Sequence, residues 1–300
     1  MKEKFLVVCG GTGGHVFPAN MIAKIFGGDL FVEKRIFNKI RSHLQDGAQF
    51  FELHYTIWSI LLNIYRFYWL VEQYDVVLGT GSVYTIPALI AGFLRQKTLL
   101  VHEQNATIGY ANQFAIYFLG ANLLSSFENT GGYNFGIPIQ ANVVTTYNGP
   151  PYILVFAGSL GSDFMDSLAP AISNYAKKHN LIVYHQARNM EKVQAIYGSM
   201  GKVEQFFSNF NYLLEHASLV ISRAGASTIS YLQLLNKRAI LIPFAGAQCD
   251  HQLLNAQWSG FPHLEEKNID FLSEHLKNIA PQGPSSMVLK IVQEEEHLLQ

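Results

Sequence analysis

Charge is the scarcest ingredient of this 300-residue chain: Asp, Glu, Lys and Arg make up 14% of it, against about 25% in an average soluble protein. What charge there is balances, with 21 Lys+Arg against 22 Asp+Glu and a formal net charge of −1. The balance is also local, with 10 basic against 9 acidic residues in 1–150 and 11 against 13 in 151–300. Neither half has the basic excess that grips a phosphate backbone, so nucleic acid is excluded as a partner. Cysteine is nearly absent. Cys9 and Cys249 are the whole supply, which rules out a disulfide scaffold and a four-cysteine zinc site. A long hydrophobic run is missing too. The greasiest stretch, Ile57 to Val71, is broken by Ser59, Asn63 and Arg66 and is shorter than the roughly 18–20 residues that span a bilayer. The opening Met-Lys-Glu-Lys leads at once into a strand-like run, which is not the pattern of a secretory signal, so a cytoplasmic chain is expected.

What is plentiful is apolar bulk. Hydrophobic residues reach 49%, with 21 Phe and 15 Tyr, which rules out disorder for most of the length. Three hundred residues suit two domains of ordinary size. Short continuous apolar runs at Phe5–Cys9, Asp75–Leu78, Thr98–Val101 and Leu123–Phe127 alternate with helix-length segments. Runs without polar alternation fit parallel strands covered on both faces. The alternation restarts after turn-rich breaks at Asn129–Pro138 and Asn148–Pro151, with strand signals at Tyr152–Phe156, Leu181–Tyr184, Leu219–Ser222 and Ala239–Pro243. The expected architecture is therefore α/β, with two Rossmann-like doubly wound domains at about 1–140 and 150–300 and a linker near 129–151.

Glycine-rich turns follow three of these strands: Gly10-Gly-Thr-Gly-Gly-His15, Ala157-Gly-Ser-Leu-Gly161 and Arg223-Ala-Gly-Ala-Ser-Thr228. Glycine permits close approach to the backbone, and a helix start beyond such a turn offers free N–H groups to phosphate. The spacing is neither G-x-G-x-x-G nor a Walker A loop. Ligands of open α/β sheets bind at the carboxyl ends of strands, so turns from two domains are expected to face a diphosphate-bearing ligand across a cleft. His15 stands at the rim of the first turn, where an imidazole suits a general base. His102-Glu-Gln-Asn105 follows the Thr98–Val101 run as a second polar constellation, open to the alternative of a solvated turn. Asp250-His251 invites a metal, but two ligands without a third make no site; neither metal nor cofactor is expected.

Taken in order, GGTGGHVFPA (10–19), GTGSVYTIPA (79–88), HEQNATIGYAN (102–112), AGSLG (157–161), SRAGASTIS (222–230) and DHQLLNA (250–256) resemble the motifs of the MurG family. Those are GT-B glycosyltransferases, whose two domains face each other across a cleft. The resemblance implies an inverting, metal-independent transfer of N-acetylglucosamine from UDP-GlcNAc to lipid I, the undecaprenyl-linked muramoyl-pentapeptide, at the cytoplasmic membrane surface. It implies an N-terminal acceptor- and membrane-side domain and a C-terminal UDP-sugar domain. Carried over by residue, it sets Thr12, Gly13 and Gly14 against the donor sugar and diphosphate region, Asn105 on the donor sugar and Ser159 on a phosphate. It sets Ala226, Ser227 and Thr228 on the diphosphate, Phe207 beside uracil and Gln252 on sugar hydroxyls. His15 becomes the candidate base, with Glu103 the runner-up or the group that orients the site.

Two departures stand out. Tyr231 occupies the place of a ribose-binding Glu, and Gln140 that of a diphosphate-binding Arg, for which Arg223 and Arg188 are the candidate replacements. A phenol or amide is a weaker partner there than a charged group. A related glycosyltransferase with another donor or acceptor, or a non-catalytic nucleotide-sugar-binding homologue, are the alternatives. In Thr56–Val71 the polar Ser59, Asn63 and Arg66 share one narrow helical face, opposite Trp58, Leu62, Tyr65 and Trp69. That pattern fits either a helix buried on the sheet or one lying at a membrane interface.

Overall fold

The computed structural model describes residues 3–54, 56–139, 147–158, 161–247 and 250–278; Gln140 and Ser159 lie outside the described residues. The described parts of 1–140, 225–230 and 246–259 form one compact unit, and those of 141–224, 231–245 and 260–300 form the other.

The first unit is built on seven parallel strands: β1 (Phe5–Cys9), β2 (Asp29–Glu33), β3 (Gln49–Phe51), β4 (Val76–Gly79), β5 (Thr98–Glu103), β6 (Asn122–Ser125) and β7 (Tyr133–Asn134). Their order is β3-β2-β1-β4-β5-β6-β7. The absence of polar alternation along β1 has a direct cause, because both faces of the sheet are covered. Val7 and Cys9 pack with Val16, Ala19 and Ile22 of α1 (Gly13–Phe26). Leu6 and Val8 face the opposite way, into a cluster with Phe67 and Leu89. Those two residues come from α3 (Ile57–Leu70) and α4 (Ile86–Leu94); α2 (Lys34–Ile40) and α5 (Tyr110–Leu119) complete the helices of residues 1–139.

The second sheet has five parallel strands, β8 (Tyr152–Phe156), β9 (Ile182–Gln186), β10 (Gly201–Glu204), β11 (Leu219–Ser222) and β12 (Ala239–Leu241), in the order β10-β9-β8-β11-β12. Its connections carry α6 (Asp163–Ser167), α7 (Ala169–His179), α8 (Met190–Tyr197), α9 (Phe210–His216) and α10 (Ala226–Leu234); α11 (His251–Ser259) and α12 (Leu272–Asn278) follow β12. Ile153, Val155, Leu219, Ile221 and Ile240 pack under α7 and α8 through Ile172, Ala176 and Val193. All eight strand signals read from the sequence correspond to strands. β2, β3, β7 and β10 come in addition; three of them are sheet edges and β2 lies beside one.

In each sheet the order reverses once, between β1 and β4 and between β8 and β11. A reversal opens a crevice at the carboxyl ends of the two strands, where ligands of doubly wound sheets settle. The glycine turns after β1, β8 and β11 all begin at these strand ends. Close packing explains the first of these glycines. A Cβ on Gly10 would come within 2.7 Å of the Tyr84 Cβ and 2.9 Å of the Glu33 Cβ.

Helix α3 is turned inside out relative to an ordinary surface helix. Thr56 caps it by accepting from the Ser59 N–H at 3.3 Å. Of its polar residues Asn63 looks inward, 1% exposed and donating to the carbonyls of Glu52 and Ser59, both at 2.8 Å, while Arg66 is exposed. The wide apolar face looks out, with Trp58 78%, Tyr65 62% and Trp69 56% exposed. Burial against the sheet therefore accounts for Asn63 and Phe67 but not for the aromatic face. No helix among the described residues is long and apolar enough to cross a membrane.

Gly10→Ala is expected to destabilise the protein by about 1–3 kcal/mol through overpacking at the β1–β4 crevice. Urea unfolding checks this; an unchanged midpoint would show that Tyr84 and Glu33 yield freely.

Candidate active site

The first crevice is assembled from the ends of β1, β4 and β5. Thr12 stands in extended conformation (φ −132°, ψ 166°) at the N-terminus of α1 and makes no side-chain cap bond. Its carbonyl accepts from the His15 and Val16 N–H groups at 3.1 and 3.2 Å. In a helix start of this kind the N–H groups of Gly13 and Gly14 have no helical acceptor and remain available to a ligand. Pro18 deprives the Gly14 carbonyl of its usual donor four residues on. His15 is half-buried. Its Nδ1 lies 2.8 Å from the Thr80 carbonyl at the end of β4 and 2.8 Å from Gln104 Oε1 beyond β5. Thr80 returns the contact, donating its hydroxyl to the His15 carbonyl at 3.0 Å. The ring passes between Gly11 (φ +88°) and Gly81 (φ +84°), whose notional Cβ atoms would lie 3.8 Å from its Cδ2 and 3.3 Å from its Cε1.

β5 runs on through His102 and Glu103, so these are strand residues rather than a turn. His102, Glu103 and Gln104 are all buried, which removes the solvated-turn alternative. Glu103 is saturated. One carboxylate oxygen accepts from the Asn105 N–H at 3.0 Å and its amide at 3.2 Å. The other accepts from the Gly109 N–H and the Asn112 amide, both at 2.9 Å. A carboxylate holding four donors orders the 103–112 loop. It fits the orienting role in the sequence reading better than that of a base. Asn105, held by this loop, accepts from the Asn255 amide at 3.1 Å within the same compact unit. Asn255 also accepts from the Ala106 N–H at 2.7 Å. Asn255 lies in the DHQLLNA motif about one turn beyond Gln252, and the sequence reading gave it no role.

The second crevice lies at the ends of β8 and β11. Gly158 (φ +85°) and Gly161 (φ +63°) bracket the turn after β8, and Gln186 fastens it by donating to the Gly158 carbonyl at 3.1 Å. Asp166 pins the adjoining 188–189 backbone, accepting from the N–H groups of Arg188 at 3.0 Å and Asn189 at 2.8 Å. Of the two arginines offered in place of the missing one, Arg223 is fully engaged. It pairs with Glu266 at 2.6 Å, donates to Ser162 Oγ at 2.9 Å and to the Ile242 and Pro243 carbonyls, and lies between the rings of Phe164 and Phe244. Arg188 stands beside Gly161, and among the described residues its guanidinium holds only the exposed Asp163, at 2.8 Å. Phe207 is buried, edge-on to Tyr184 at 5.9 Å. The exposed ring at this position is its neighbour Phe206, which the sequence reading passed over. Ala226, Ser227 and Thr228 form the first turn of α10 and Gln252 that of α11. Among the described residues no group of three His, Cys, Asp or Glu side chains could hold a metal.

Burial pushes the His102 imidazole from 6.5 down to about 4, so it is neutral at pH 7. The unfolded chain takes up this proton as pH falls through 6.5, whereas the folded chain resists until about 4. His102 therefore leaves stability intact above pH 6.5 and erodes it between 6.5 and 4. The urea midpoint should fall from pH 7 to pH 5, and by less in His102→Gln; equal pH dependence in the two proteins would contradict this. Glu103→Gln, which turns an amide NH₂ toward donors, should cost about 2–3 kcal/mol by the same measurement.

Residues 152–259 match the glycosyltransferase family 28 C-terminal domain. Over 91% of its length the chain is 28% identical to the UDP-N-acetylglucosamine–N-acetylmuramyl-(pentapeptide) pyrophosphoryl-undecaprenol N-acetylglucosamine transferase of Wolbachia pipientis subsp. Culex pipiens, covering 85% of that protein. To the enzyme of the same name from Buchnera aphidicola it is 26% identical, covering 96% and 94% of the two chains. Its fold is similar to that of Acinetobacter baumannii MurG (TM-score 0.74, 22% identity, 92% and 90% covered). It is also similar to that of Neisseria meningitidis UDP-GlcNAc 2-epimerase bound to UDP-GlcNAc (TM-score 0.60, 13% identity, 93% and 95% covered). Two parallel-sheet Rossmann-like domains, a family 28 C-terminal domain at 152–259 and likeness along nearly the whole chain make this protein similar to the MurG glycosyltransferases.

Proposed function

We propose that the protein is an inverting transferase that moves N-acetylglucosamine from UDP-GlcNAc to lipid I, forming lipid II for peptidoglycan. The observation that carries this reading is the His15 imidazole at the β1–β4 crevice, with Nδ1 hydrogen-bonded and Nε2 without a hydrogen-bond partner among the described residues. In the reaction, Nε2 takes the proton of the acceptor hydroxyl as its oxygen attacks C1 of the donor sugar. The C1–O bond to the diphosphate breaks on the opposite face, and UDP leaves with the electron pair. The start of α10, at Ala226, Ser227 and Thr228, receives the growing negative charge through backbone N–H groups and the helix dipole. Ser159 and the glycine turn after β8 add further donors, and Arg188 is the cation beside that turn. Thr12, Gly13 and Gly14 supply the donors of the first crevice, while Asn105 and Gln252 meet sugar hydroxyls. For uracil, the exposed Phe206 ring offers a face and Phe207 the backbone behind it.

Tyr231 favours a modified nucleoside contact. Burial, and secondarily the charge of Glu215, raises its phenol above the ordinary range, so it stays neutral where a carboxylate would be charged.

We infer also that the α3 face rests on the membrane from the cytoplasmic side. Trp58, Tyr65 and Trp69 are of the residue types favoured at the lipid interface, and α3 packs on α4, which packs on α5. Those helices add exposed Phe93, Leu94, Tyr117 and Phe118. Arg66 and Arg95 supply little positive charge, so contact through ring burial should survive salt.

UDP-GlcNAc should bind more tightly than UDP-glucose in calorimetry; equal or absent binding of both would remove the donor assignment. His15→Ala should abolish turnover of a lipid I analogue while leaving donor affinity within a few-fold. Co-sedimentation with phosphatidylglycerol-containing vesicles should drop at least five-fold in Trp58→Ser/Trp69→Ser but change little between about 0.1 and 0.5 M salt; the reverse pattern would reject the apolar docking face.

A further inference from the structure

Behind His15 runs a chain of polar groups with more order than a base needs merely to be present. His15 Nδ1 meets Gln104 Oε1 at 2.8 Å. Gln104 Nε2 meets His102 Nδ1 at 2.8 Å, and His102 Nε2 meets the Gly136 carbonyl at 2.8 Å. Every proton along it is settled by a carbonyl that can only accept. Thr80 O, 2.8 Å from His15 Nδ1, requires a proton on that nitrogen. The Gln104 amide is oriented by the carbonyls of His102 at 3.0 Å and Thr80 at 3.2 Å. Turned over, it would set its oxygen against both carbonyls and its NH₂ against the His15 N–H. With the NH₂ so placed, His102 Nδ1 accepts, and its proton lies on Nε2, where Gly136 O takes it. Phe135 closes edge-on over the His102 ring at 5.9 Å. Both His102 and Gln104 are buried, where a misplaced proton would leave donors or acceptors unpaired.

We propose that Gln104 and His102 are positioning residues that lock His15 in its Nδ1–H tautomer, so that its Nε2 lone pair is always the one presented to the acceptor hydroxyl. In free imidazole the two neutral tautomers exchange; here the alternative one would set the Nδ1 lone pair against two acceptor oxygens. When Nε2 gains its proton, Nδ1–H keeps both of its acceptors, so the ring need not turn between accepting the proton and releasing it. The role rests on His15 being the base of the proposed transfer, but the tautomer itself does not.

The direct test is a long-range ¹H–¹⁵N correlation spectrum of the histidine side chains in the wild-type protein at neutral pH, with the His15 signals identified by their loss in His15→Gln. The pattern of the Nδ1–H tautomer is expected for His15 and that of the Nε2–H tautomer for His102; an Nε2–H or freely exchanging His15 overturns the proposal. In transfer assays, Gln104→Leu should lower kcat about ten-fold with donor KM within two-fold. Gln104→Glu, which sets a carboxylate against the imidazole, should move the acidic limb of the pH–rate profile upward by roughly 1 pH unit. Unchanged kcat in the first variant together with an unmoved limb in the second would also overturn it. A wild-type protein without transfer activity would sink the function instead, and the spectrum would still decide the tautomer.

Discussion

Each sheet of this protein is parallel throughout, and each reverses its strand order once. A parallel sheet collects all its strand ends along one edge, and the reversal parts the connecting helices at one point of that edge. Chemistry spread through the sequence is thereby gathered. Residues 15, 80 and 104 meet because β1, β4 and β5 are neighbours that finish together. The Thr80 carbonyl, accepting from both His15 and Gln104, joins the three ends. Without the parallel order, His15 would be a half-exposed histidine at the start of a helix.

The same constraint explains what the sequence made legible. Central parallel strands are buried on both faces and must be continuously apolar, so Phe5–Cys9 and Tyr152–Phe156 announce themselves. Strands such as Gln49–Phe51 and Gly201–Glu204 are short and partly exposed at the edges, and nothing in their composition separates them from loop. The glycine turns could be read because their spacing implies close backbone approach, and His15 because an imidazole beside such a turn has few other uses. Burial could not be read. His102-Glu-Gln-Asn105 has the composition of a solvated turn, yet its first three residues are sealed in and satisfied in part by groups as far as 34 and 89 positions away. Partnerships of that range exist only in the folded chain. Phe206 and Phe207 make the same point, since two identical neighbours differ only in which one the sheet covers.

Low charge takes on meaning at two places. On α3, Asn63 turns inward to the Glu52 and Ser59 carbonyls, and the aromatic face is left outward. In the proposed membrane contact, hydrophobic burial then does what basic residues do elsewhere. At the second crevice, Arg223 is consumed by Glu266 and two aromatic rings, so in the proposed reaction Arg188 and the backbone donors at helix starts are the groups left to meet a diphosphate.

The central claim is that these strand ends carry out glycosyl transfer with inversion at the sugar carbon. Incubation of purified protein with labelled UDP-GlcNAc and a lipid I analogue in vesicles, followed by NMR of the disaccharide product, tests it most directly. The account predicts lipid-linked product whose new glycosidic bond has the anomeric configuration opposite to that of the donor. Product with retained configuration, or nucleotide-sugar binding with no transfer at all, would contradict it.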